Sequence, residues 1–148
     1  MKDLFLNKQG TALSHPNLLS YDDVNGQIWD TQADIFIPCA GSRMITEEQL
    51  NRMLKAGVSV ISSGANVPFA DSEIFFGAIA EKADGSISLI PDFIANCGMA
   101  RVFAYFMEKK VQMTDESIFY DISETIKKAI EKVHNLNGDK KNISATAF

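Results

Sequence analysis

The chain has 148 residues, 46% of them hydrophobic and 22% charged. That balance suits one domain able to bury roughly two thirds of the surface its unfolded form exposes, with no need of a disulfide or a structural metal. Its formal net charge is −5, and the Lys and Arg are scattered, so the basic stripe that a row of phosphates requires is missing and nucleic acid is excluded as a partner. No apolar run is long enough for a signal h-region or a membrane span, and Cys39 and Cys97 stand in no metal-ligand spacing; reduced, buried thiols in a cytoplasmic protein are expected.

Residues 1–30 are rich in turn formers such as His15, Pro16, Asn17, Asp22, Asn25 and Gly26, and read as an irregular lead-in with room for one short helix. Residues 34–38 follow, with Ile35, Phe36 and Ile37 unbroken before Pro38, the pattern of a strand buried on both faces and hence of a parallel sheet. Thr46 and Gln49 have capping-box spacing ahead of Leu50, Met53 and Leu54, and Gly57 closes that helix. Val58, Val60 and Ile61 form a second strand that ends in Ser62, Ser63 and Gly64.

The alternation then repeats. Residues 71–83 are expected as a helix stopped by Asp84 and Gly85, and Ile87, Leu89 and Ile90 as a third strand ended by Pro91. Residues 99–109 give an apolar helix with Val102, Phe103, Tyr105 and Phe106. In residues 112–148, Ile118, Ile122, Ile126, Ile130 and Val133 recur at helical steps, as in an amphipathic helix laid over the sheet. Residues 142–148 begin a further helical stretch that reads as cut short. The whole predicts an α/β fold: a partial, Rossmann-like parallel sheet flanked by helices.

In an open parallel sheet, ligands bind beyond the carboxyl ends of the strands. All three exits here carry small or amide residues: Cys39, Ala40, Gly41 and Ser42; then Gly64, Ala65 and Asn66; then Asn96, Cys97 and Gly98. Small side chains admit a flat ring to the backbone, and an amide both donates to and accepts from a carboxamide. Each cluster alone is an ordinary turn, and only their coincidence along one edge points to a ligand.

The segments Asp34-Ile35-Phe36-Ile37-Pro38-Cys39-Ala40, Ile45-Thr46-Glu47-Glu48, Gly64-Ala65-Asn66-Val67-Pro68 and Pro91-Asp92-Phe93-Ile94-Ala95-Asn96-Cys97-Gly98 resemble, in order and spacing, the C-terminal region of the glutamate/leucine/phenylalanine/valine dehydrogenases. The resemblance is best over residues 34–106. It implies hydride transfer from the α-carbon of an L-amino acid to NAD or NADP, giving a 2-oxo acid and ammonia. It also implies that Cys39 and Ala40 run beside the cofactor's ribose through backbone contacts, that Asn66 meets the nicotinamide end, and that Asn96 lies between nicotinamide and substrate. Seven residues beyond Asn96, glutamate-specific members place a serine. Phe103 stands there, and because it cannot satisfy a side-chain carboxylate, a non-acidic amino acid is the expected substrate.

Two features of the family have no counterpart in this sequence. None of the glycines falls in a GxGxxG loop after a strand, and the family's catalytic lysine and aspartate belong to an N-terminal substrate domain outside this chain. Lys55, Lys82, Lys109 and Lys110 read as solvated helix surface, and His15 and His134 have no evident partner, so no catalytic residue is assigned. The expectation is therefore a C-terminal portion of an NAD(P)-binding domain, inactive by itself and belonging to an enzyme that is commonly a homohexamer. A non-catalytic small-molecule-binding or interaction module is the alternative.

Overall fold

The computed structural model describes residues 15–108 and 112–148. Lys109 and Lys110 lie outside them, as does the first part of the expected lead-in. In the remainder of that lead-in a short helix, α1 (Tyr21–Gln27), runs into a 3-10 turn (Ile28–Asp30). Ser20 caps α1 by accepting from the Asp23 N–H.

The expected alternation follows as β1 (Ile35–Phe36), α2 (Glu47–Ala56), β2 (Val60–Ser62), α3 (Ala78–Ser86), β3 (Ser88–Ile90), α4 (Asp92–Ala95), α5 (Gly98–Met107), α6 (Asp115–Leu136) and α7 (Ile143–Ala147). The sheet is parallel in the order β1-β2-β3, with Ile35 opposite Val60 and Ile61 opposite Leu89. Parallel strands need crossovers, and α2 and α3 provide them. The consequence for function is geometric: all three strands deliver their carboxyl ends to one edge.

α2 shows how local sequence sets an element. The Thr46 side chain accepts from the Gln49 N–H, the Gln49 side chain accepts from the Thr46 N–H, and Glu47 and Glu48 occupy the first turn, where the helix dipole favours anions. Gly57 ends it at φ 98°, in the left-handed region where glycine alone escapes the Cβ penalty. The buried Leu50 and Met53 join Trp29, Ile45, Ile61, Phe69, Ala80, Ala83 and Leu89 in the core. Burial of each large side chain contributes about 1.5–3 kcal/mol.

Four expectations are corrected. β1 is not buried on both faces: Ile35 and Ile37 are each 57% exposed, because β1 has one neighbour among the described residues and only Phe36 turns inward, against Trp29. The helix expected over residues 71–83 begins at Ala78 instead. The buried Asp71 carboxylate accepts from the Ile79 and Ala80 N–H groups, a cap supplied from outside the helix, and this leaves residues 71–77 irregular. Asp84 and Gly85 do not stop α3, which runs to Ser86. The buried Asp84 carboxylate is engaged elsewhere, accepting from the Ser144 and Ala145 N–H groups at the start of α7. Finally, α6 makes its main contacts with α4, α5 and α7 rather than lying over the sheet. Among the described residues, no helix is long and apolar enough to cross a membrane, and no cluster of side chains has the makings of a metal site.

Candidate functional site at the strand exits

The β1 and β2 exits touch. A Cβ built on Gly64 would lie 2.6 Å from Cys39 Sγ and 3.3 Å from the Pro38 carbonyl oxygen, so the close approach requires the absence of a side chain at Gly64. Cys39 itself is exposed and free, and Cys97 is half-buried and free. This corrects the expectation of a buried Cys39: it follows the strand at the described edge of the sheet, where the residue is exposed although its sulfur lies against Gly64.

Cys39 and Ala40 line a largely apolar groove of about 270 Å³ together with Tyr21, Trp29, Phe36 and Met44. The Trp29 indole N–H is buried without an acceptor among the described residues.

Asn66 and Asn96 come together across a gap of 30 residues. The Asn96 Nδ2 donates to Asn66 Oδ1 at 2.6 Å, joining the β2 exit to the turn after α4. Neither Asn66 Nδ2 nor Asn96 Oδ1 has a side-chain or backbone partner among the described residues, so the pair presents one free donor group and one free acceptor. Both asparagines line a second groove, of about 360 Å³, whose walls include Phe75, Phe93 and Phe148. Phe148 packs on Phe93 with ring centroids 4.9 Å apart and on Phe76 at 5.7 Å. A flat ring carrying a carboxamide matches this combination of apolar walls and paired amides.

The asparagines are held from two sides. Asp92 Oδ2 accepts from the Val67 N–H at 2.7 Å, and the Arg43 N–H donates to the Val67 carbonyl oxygen at 2.7 Å. The Arg43 guanidinium in turn donates to the Asp71 carbonyl oxygen at 2.6 Å. Sequence reasoning passed over Asp92 and Arg43. An acidic residue directly after the proline that closes a strand was the available signal for the first; for the second the sequence offers none.

Phe103 is not brought into either groove. It lies on α5, 63% exposed, on an apolar stripe with Met99, Phe106 and Met107. α5 is tied to α6 by Arg101, whose guanidinium donates to both carboxylate oxygens of Asp121 and pairs with Glu108 at 2.9 Å. The hydrogen bonds from Arg101 hold the Asp121 carboxyl below the usual carboxylate range. Lys82 pairs with Glu47 at 2.7 Å on the surface, as a solvated lysine does, and His15 Nδ1 accepts from the Asn17 N–H within its own turn.

Solved structures of glutamate dehydrogenases share the fold. Plasmodium falciparum glutamate dehydrogenase 2 superposes with a TM-score of 0.62 at 23% identity, over 80% of this chain and 26% of that one. A lysine-to-leucine mutant of glutamate dehydrogenase gives 0.64 at 14% identity, over 86% and 31%. In sequence, the NADP-specific glutamate dehydrogenase of Botryotinia fuckeliana is 24% identical over 97% of this chain and 33% of its own length. The chain thus spans about a third or less of the relatives it matches. The family model for Glutamate/Leucine/Phenylalanine/Valine dehydrogenase matches residues 6–147, and this chain, with its parallel sheet, belongs to that family.

Proposed function

We propose that the chain supplies the nicotinamide-facing part of an NAD(P)-dependent amino acid dehydrogenase and is inactive alone. The observation that carries this reading is the Asn66–Asn96 amide pair, set at the carboxyl edge of a parallel sheet beside an aromatic-walled groove. The bound nicotinamide supplies the hydride chemistry. The protein's part is recognition. The free Asn66 Nδ2 and Asn96 Oδ1 complement a carboxamide, which has one acceptor and one donor group. At the β1 exit the backbone of Cys39 and Ala40, which line the first groove, would run beside the ribose.

An N-terminal substrate domain and a glycine-rich half-site are the partners this reading requires, in an assembly of the family's hexameric kind. The exposed apolar stripe of α5, with Met99, Phe103 and Met107, supports it as a face that another domain would cover. Phe103 would then form a wall of the substrate pocket and favour an apolar side chain over a carboxylate. The named specificity of the Botryotinia fuckeliana relative favours NADP among the two cofactors.

Calorimetric titration of the chain with NADH and NADPH tests the proposal. Weak binding, with Kd on the order of millimolar, that disappears in Asn66→Ala supports it. A folded chain that binds neither dinucleotide, or binds them equally well as Asn66→Ala, removes the cofactor role and leaves an interaction module.

A further inference from the structure

Val67 follows Asn66 with φ 44°, in the left-handed region that a β-branched residue rarely enters. Such a conformation persists only where its surroundings over-determine it. Here the surroundings are two short hydrogen bonds, one at each backbone polar group of the residue: Asp92 Oδ2 takes the Val67 N–H at 2.7 Å, and the Arg43 N–H binds the Val67 carbonyl oxygen at 2.7 Å. Pro68 beyond it is fixed as well, its carbonyl oxygen accepting from the Met44 and Ile45 N–H groups at 3.0 Å. The second carboxylate oxygen of Asp92 accepts from the Phe93 N–H at 2.9 Å, which locks the side chain at the start of α4.

Asp92 therefore links the two asparagines by a second route. It lies four residues before Asn96, whose N–H donates to the Asp92 carbonyl oxygen at 2.7 Å, and its side chain grips the residue after Asn66. We infer that Asp92 is a positioning residue for the Asn66–Asn96 pair: by holding Val67 in the left-handed conformation it sets the register in which the two amides meet. The inference rests on the proposed nicotinamide role of that pair for its functional consequence, and on geometry alone for the positioning itself. A charged acceptor suits the task, because a hydrogen bond to a carboxylate is stronger than one between neutral groups and offsets the backbone strain.

The test uses the whole chain and two readouts. The first is the Asn96 side-chain amide resonance in the ligand-free protein, which reports the bond to Asn66 directly. The second is NADH affinity. Asp92→Ala should move the Asn96 amide resonance toward its solvent-exposed position and weaken NADH binding by about tenfold, the effect of losing one charge-assisted hydrogen bond. Asp92→Asn keeps an oxygen acceptor for the Val67 N–H and should stay within about threefold of the natural protein. Val67→Gly removes the strain that Asp92 offsets, so Val67→Gly/Asp92→Ala should recover most of both signals.

An Asn96 amide resonance unchanged in folded Asp92→Ala overturns the inference. So does a double variant as impaired as Asp92→Ala. Should Asp92→Ala fail to fold, Val67→Gly/Asp92→Ala decides: a folded double variant whose Asn96 resonance matches that of Val67→Gly supports positioning through Val67, and a double variant that also fails to fold, or shows a solvent-exposed Asn96 amide, refutes it. If the natural chain binds no NADH while the Asn96 resonance still responds to Asp92→Ala, the cofactor reading falls and the positioning role stands.

Discussion

Asn96 Nδ2 donates to Asn66 Oδ1 at 2.6 Å, although one follows β2 and the other follows α4. Both residues are solvent-accessible, so the bond adds little to stability, and its value lies in orienting the amides. Asn96→Ala should change unfolding free energy by less than about 0.5 kcal/mol, as for most surface changes, while weakening NADH binding about tenfold. Urea melts alongside calorimetry separate the two effects. Equal loss of stability and affinity would count against an orienting role.

Gly64→Ala should destabilise the chain by about 1–3 kcal/mol, the range for forcing extra volume into a packed contact. Its new methyl would meet Cys39 Sγ at 2.6 Å. Adding Cys39→Ala removes that sulfur and should return part of the loss. A double variant no more stable than Gly64→Ala in urea would place the conflict at Pro38 or Ile37 instead.

Asp84→Ala should release α7. The buried carboxylate accepts from the Ser144 N–H at 2.8 Å and the Ala145 N–H at 2.9 Å, while the Ser144 hydroxyl donates to the Leu89 carbonyl oxygen at 2.9 Å. Stranding the buried Ser144 N–H and the part-buried Ala145 N–H costs about 1–3 kcal/mol. Amide hydrogen exchange should lose protection first at residues 143–147, with α2 unaffected. Uniform loss across the chain would show instead that Asp84 supports the whole core.

Stability should fall in acid partly through Asp121. Its carboxyl is held below the usual range, first by hydrogen bonds from Arg101 and then by that residue's charge. A depressed folded value means that the contribution is complete above the unfolded value and is lost as pH falls through the folded one. Asp121→Asn should therefore be less stable at neutral pH and should show a shallower decline as pH falls through and below the ordinary carboxylate range. Matching slopes in urea titrations of the two proteins would contradict this.

The parallel sheet, the capping box of Thr46 and Gln49, and the polar exits were legible in the sequence because each follows from neighbours within a few residues. What escaped was set by distant partners. Asp71 moves the start of α3 by reaching forward to Ile79 and Ala80, and Asp84 sits within a helix it was expected to end because its carboxylate serves α7, 60 residues on. Ile35 and Phe36 read as a doubly buried strand because their run is unbroken, yet apolarity alone does not reveal which strand lies at an edge. At the site, Asn66 and Asn96 could be picked out as residue types suited to a carboxamide. That they bond to each other, with Asp92 and Val67 behind them, is tertiary geometry that no local pattern encodes.

Whether the amide pair faces nicotinamide is read from chemical-shift mapping with the two halves of the dinucleotide added separately. Nicotinamide mononucleotide should perturb the side-chain amides of Asn66 and Asn96 and the backbone of Val67, whereas adenosine monophosphate should leave them in place. Perturbation of those amides by adenosine monophosphate alone, or by neither ligand at millimolar concentration, would contradict that placement.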